Sequence, residues 1–122
     1  MIKRPKVTHG ESKRFRMSCG NLYITTGHNE EGVLIEIFAI LGKAGGCASC
    51  QNEALTRSIS LGLKYGLPIE EYVKQLIGIS CPGRGMEDGI EIHSCAEAIS
   101  IVLNEEIKKE TNKEVESNNG NN

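Results

Sequence analysis

Val33-Leu34-Ile35-Glu36-Ile37-Phe38-Ala39-Ile40-Leu41 runs directly into Gly42-Lys43-Ala44-Gly45-Gly46-Cys47-Ala48-Ser49-Cys50, and this passage decides the fold. Its first half is β-branched and almost continuously apolar, the pattern of a central strand covered on both faces. Its second half is a glycine-rich loop. Beyond it Leu55, Ile59 and Leu63 fall four apart, as one face of a helix from about Ser49 to Tyr65 requires. Gly66 ends that helix. One face of the strand therefore packs on helices, and the other, carrying Leu34, Phe38 and Ile40, is open to a partner chain.

Upstream, Phe15, Met17 and Cys19 alternate, as do Leu22, Ile24 and Thr26, so two short strands meet at a bend near Cys19-Gly20-Asn21. Downstream, Pro68 suits the first position of a second helix, with Glu70 and Glu71 favourable in its first turn. Ile69, Tyr72, Val73, Leu76 and Ile77 form its buried stripe. Residues Gly78 to His93 read as a glycine-rich loop. Ser94 is then the N-cap of a third helix, with Glu97 at the capping-box spacing and Ile99, Val102, Leu103 and Ile107 on its apolar face. The expected class is α+β, a small antiparallel sheet of about three strands packed against about three helices.

The chain has 122 residues, enough for one modest core but not for a large catalytic barrel. Residues 1–12 are basic and polar without hydrophobic period and read as a flexible arm. Residues 13–108 form the domain. Residues 109–122 are rich in asparagine and too polar to offset the entropy of ordering them, so a disordered tail is expected. The formal charge of −2, from 14 basic and 16 acidic residues, gives no strong nucleic-acid signal. The first residues, Met1 to Lys6, are positive with no apolar stretch after them, so neither a secretory signal nor a membrane span is expected there. A cytoplasmic location follows from that reading.

Five cysteines, an odd number in a reducing compartment, argue against a disulfide framework. Four of them sit at bends: Cys19 at a strand end, Cys47 in the glycine loop, Cys81 before Pro82-Gly83, and Cys95 opening a helix. Such positions suit a metal cage or a reactive cluster better than core filling. Burial of free thiols is the competing reading.

In order along the chain, Cys19-Gly20-Asn21-Leu22-Tyr23, Leu41-Gly42-Lys43-Ala44-Gly45-Gly46-Cys47, Glu53-Ala54-Leu55 with Ser58-Ile59-Ser60-Leu61, Val73 to Pro82, and Ser94-Cys95-Ala96-Glu97-Ala98-Ile99 resemble the TSCPD domain. That family is found at the C-terminal end of adenosylcobalamin-dependent ribonucleoside-diphosphate reductases and as small free-standing proteins. The name-giving Thr-Ser-Cys-Pro-Asp reads His93-Ser94-Cys95-Ala96-Glu97 here. The resemblance places the family's four cysteines on Cys19, Cys47, Cys81 and Cys95, and four loop-borne thiolates can hold a structural Zn²⁺. Cys50 and His93 are substitute ligands in that scheme.

The resemblance implies a link to deoxyribonucleotide synthesis: a non-catalytic accessory module, detached from a reductase, whose partner is the reductase catalytic subunit. Adenosylcobalamin would enter only through that parent enzyme. A second reading is an oligomer, assembled through the exposed sheet face, that binds a small molecule or nucleotide with Lys43, Gly45, Gly46, Arg57 and Arg84 around its phosphate. The loop lacks the Gly-Lys-Ser/Thr ending of a P-loop, and its glycines also serve simply to turn the chain. A third reading is a thiol oxidoreductase using Cys47-Ala48-Ser49-Cys50 at a helix N-terminus.

Overall fold

The structure, a computed structural model, describes residues 1–42 and 46–120, with side chains as far as Lys113. Strands β1 (Ser12–Met17), β2 (Gly20–His28), β3 (Leu34–Leu41), β4 (Gly85–Glu87) and β5 (Ile90–Ile92) form one antiparallel sheet in the order β3-β2-β1-β4-β5. Helices α1 (Gly46–Lys64), α2 (Ile69–Leu76) and α3 (Cys95–Gly120) complete it. The class is α+β, as expected, with two more strands than the sequence reading assigned.

Those two strands lie in the passage read as a loop. Asp88 (φ 50°) and Gly89 (φ 79°) both adopt left-handed backbone, the geometry of a type I′ turn, and Asp-Gly is a preferred pair for it. The hairpin attaches to β1 through Arg16 opposite Met86 and Met17 opposite Gly85. Only glycine fits at position 85, because a Cβ there would lie 2.4 Å from the Arg16 carbonyl oxygen and 2.5 Å from the Met17 sulfur.

The pleat sorts the side chains. Phe15 and Met17 of β1, Leu22 and Ile24 of β2, and Ile37, Ala39 and Leu41 of β3 join Ile59, Leu63, Ile99 and Leu103 in one buried cluster. Each fully buried Leu, Ile or Phe side chain contributes roughly 1.5–3 kcal/mol relative to exposure. On the opposite face of the sheet Phe38, Ile40 and Tyr23 remain exposed.

The strand expected to be central is instead the sheet's edge. Three features explain its misleading apolar run. Gly27 pairs with Glu36 whereas His28 pairs with Leu34, so Ile35 is the extra residue of a bulge, and Leu34 turns into the core rather than joining Phe38 and Ile40. Glu36 is buried under Arg4, whose guanidinium bonds both carboxylate oxygens at 2.9 and 3.2 Å. Finally, α1 covers the edge: the Ser60 hydroxyl donates to the Ile37 carbonyl at 3.0 Å and accepts from the Ile37 N–H at 2.9 Å. One side chain thus satisfies a backbone pair that a further strand would otherwise meet.

Both ends of the chain differ from expectation. The arm is docked: the Ile2 N–H donates to the Lys64 carbonyl at 2.8 Å, and His9 bridges His28. Ion pairs of Arg4 with Glu36 and of Glu11 with Lys109, together with isolated backbone bonds, hold it, which no hydrophobic period announces. At the other end α3 continues to Gly120, beyond the break expected after Lys108. With its nucleus already packed on the sheet, a helix propagates through Glu and Lys at little cost, and no glycine or proline interrupts it before Gly120.

Ser60→Ala should cost about 1–3 kcal/mol by urea unfolding, because it strands the buried Ile37 N–H and carbonyl together. A change below a few tenths of a kcal/mol would contradict the edge-covering role.

Candidate functional site

Three of the cysteines come together at one end of the sheet. Cys19 lies in the two-residue loop between β1 and β2, since Met17 pairs with Gly20. The Ser18 N–H donates to the Arg84 carbonyl at 2.8 Å, which draws the segment after Cys81 against this hairpin. Cys81 is held in turn: its N–H donates to the His93 carbonyl at 2.9 Å and its thiol to the Gly83 carbonyl at 3.0 Å. Cys95 is the first residue of α3.

The start of α3 is fixed by its cap. The Ser94 hydroxyl accepts the Glu97 N–H at 3.0 Å and donates to the Ile79 carbonyl at 2.6 Å. The Glu97 carboxylate accepts the His93 N–H at 3.2 Å, the Gly78 N–H at 3.0 Å, and the His93 ring through Nδ1 at 2.7 Å. The capping box is therefore modified: its acid serves the residue before the cap and a loop from α2, rather than the cap itself. Burial would raise the Glu97 carboxyl, but these three partners outweigh it and hold it below its ordinary value.

Burial pushes the half-buried Cys95 thiol upward, and the nearby Cys19 and Cys81 sulfurs push it the same way, against a hydrogen bond from the Asn52 amide. The cluster is therefore Cys19, Cys81 and Cys95, with Asn52 of α1 as a neighbour. Cys47 and Cys50 are exposed on the first turn of α1, the helix that also carries Asn52. Their spacing of three places them on adjacent parts of that turn, where thiol exchange chemistry is sterically open. Among the described residues no group of three or more His, Cys, Asp and Glu side chains is arranged to hold a metal ion. His93 is engaged by Glu97.

Of the expected phosphate ligands, Lys43 and Gly45 lie outside the described residues. Gly46 begins α1 with φ 75°. Arg57 is 57 − 46 = 11 residues further along that helix, about 16 Å at ~1.5 Å per residue, and faces Glu53 at 3.8 Å. Arg84 bonds Glu91 at 2.9 Å and Ser80 at 3.1 Å. The described members of this set do not converge.

Asn52 was not legible as a site residue, although its signal was present. Asn52, Thr56 and Ser60 recur four apart and are all buried, a polar stripe beside the apolar one. A polar stripe on a buried helix face marks groups that must find partners.

In chelator-treated protein at pH 8, iodoacetamide should label Cys47 and Cys50 first and Cys95 last, read by peptide mass spectrometry, because a raised pKa leaves less thiolate. Equal rates at Cys95 and Cys50 would contradict the cluster. A lowered carboxylate pKa contributes stability above the unfolded value, 4.5 here, and that contribution is lost as pH falls through the folded value. The urea midpoint of Glu97→Gln should accordingly fall less than wild type between pH 7 and pH 3, and parallel losses would count against the Glu97 assignment.

The model of the TSCPD domain family matches residues 1–107, so the match includes the docked arm as well as the folded body. Among curated relatives, the vitamin B12-dependent ribonucleotide reductase of Agrobacterium fabrum is 31% identical over 87 residues, covering 71% of this chain and 7% of that protein. The same-named protein of Streptomyces clavuligerus is 29% identical over 100 residues, 82% of this chain and 10% of that one. That of Streptomyces avermitilis is 24% identical over 99 residues, 81% and 10%. The chain thus spans a tenth or less of the length of these relatives. No solved structure matches, and among the described residues no helix is long and apolar enough to cross a membrane. With the family model matched over most of its length, the chain belongs to the TSCPD domain family.

Proposed function

We propose that this chain is a non-catalytic, zinc-stabilised accessory module that acts with the catalytic protein of a vitamin B12-dependent ribonucleotide reductase. One observation carries the reading: the similarity covers most of this chain but only a small fraction of the reductases. This chain's one sheet and three helices would serve as a supporting unit for that larger protein.

The donor chemistry supports the zinc part of the reading. Cys19, Cys81 and Cys95 share one neighbourhood, and soft thiolates at loop and helix ends suit Zn²⁺. Cys47, on the first turn of α1, would supply the fourth sulfur. The ion would tie the β1–β2 turn, the loop after α2 and the start of α3 to one point, which is structural chemistry. Adenosylcobalamin enters only as the reductase's own cofactor.

Two experiments test the proposal. A vitamin B12-dependent reductase truncated to remove its TSCPD segment should co-elute with this chain and regain activity on its addition, whereas no co-elution at tens of micromolar would contradict the partner. Cys81→Ser and Cys95→Ser should each lower the melting temperature by at least about 10 °C while Cys50→Ser changes it little. Equal tolerance at all the cysteines would remove the metal cage.

A further inference from the structure

The outer face of the sheet, opposite the core, has a composition that folding alone does not require. Tyr23, Phe38 and Ile40 are 39, 41 and 62% exposed. Tyr23 stands opposite Ile40, two residues along from Phe38, so the two aromatic rings are diagonal neighbours on adjacent strands, about 7–8 Å apart at the backbone. On the other side of β2, Arg14 stands opposite Tyr23 and Arg16 opposite Asn21, and both arginines are exposed.

Charge on this face is one-sided. Among the described residues its strand carboxylates are already paired, Glu36 with Arg4 at 2.9 Å and Glu91 with Arg84 at 2.9 Å, and Glu53 beside it on α1 faces Arg57 at 3.8 Å. The Arg4–Glu36 pair also lays the arm along this side, because Glu36 shares its face with Phe38 and packs over Gly27. Exposed Lys3 and Lys6 flank Arg4 in that arm. Two recesses border the rings: one of about 430 Å³ includes Phe38 and Ile40 with the paired Glu53 and Arg57 of α1, and one of about 630 Å³ includes Arg16, Asn21 and Tyr23.

We infer that this face binds single-stranded nucleic acid, with bases stacked on Tyr23 and Phe38 and phosphates held by Arg14 and Arg16. Exposed aromatics on an antiparallel sheet give sequence-tolerant stacking platforms, and adjacent cations track the backbone. A second copy of the chain is the poorer occupant, because Glu36 and Glu91, the strand carboxylates it would offer to Arg14 and Arg16, are already engaged. The net charge of −2 does not oppose the inference, since the acidic residues lie largely elsewhere and binding responds to local charge.

The test is fluorescence anisotropy of the full chain with labelled oligothymidylate across a salt series. Binding should weaken as salt rises. The double variant Arg14→Ala/Arg16→Ala should reduce the log–log slope by about 1.4, two contacts at ~0.7 each. Tyr23→Ala/Phe38→Ala should raise Kd at least about tenfold. Lys74→Glu, a charge change on the helical side, should have a much smaller effect, and circular dichroism would confirm that each variant is folded. No binding at low salt, equal weakening by Lys74→Glu, indifference to the aromatic pair, or equal competition by polyglutamate would each overturn the inference. Because the readout needs no reductase, its failure is distinguishable from failure of the accessory role.

Discussion

The site rests on the clasp at the start of α3. Ser94 and Glu97 close the helix's first turn while gripping Ile79, Gly78 and His93, and the Cys81 N–H is tied to His93 in the same knot. Residues separated by a helix end, a loop and a hairpin are thereby brought to one place. Each bond alone is worth about 1 kcal/mol, with those to the Glu97 carboxylate worth more. Their importance is positional: by tying the loop after α2 to the start of α3, this knot brings Cys81 near Cys95, beside Cys19.

The two faces of the sheet divide the labour. The inner face carries almost all of the buried apolar surface, and it supports the cysteine cluster at one end through α1 and α3. Even there polar groups are matched, with Ser60 closing the β3 edge and Lys13 reaching from the Phe15 ring, 5.2 Å from its centroid, to Glu105 at 3.0 Å. The outer face adds little to the core. Its exposed aromatics and unopposed arginines are affordable because the fold does not depend on them, and that freedom makes the face available for binding.

Much of this was legible from local pattern. Period-two alternation located β1 and β2, the four-residue spacing of Leu55, Ile59 and Leu63 located α1, and Ser94 with Glu97 marked the α3 start. What escaped was long-range. Nothing in a run from Val33 to Leu41 says that Glu36 is sealed by an arginine 32 positions away, or that Ser60 covers the edge. The β4–β5 hairpin was different: Asp88-Gly89 carried its signal, but strands of three residues are too short for alternation to register. Cys19, Cys81 and Cys95 are far apart in sequence, and their shared neighbourhood depends on the fold rather than on any local spacing.

The most direct measurement is the zinc content of the purified chain by elemental mass spectrometry, paired with thiol titration before and after chelation. The account predicts about one zinc per chain and four thiols that become reactive only once the metal is removed, with Cys50 reactive throughout. A metal-free protein with all five thiols freely reactive would contradict it.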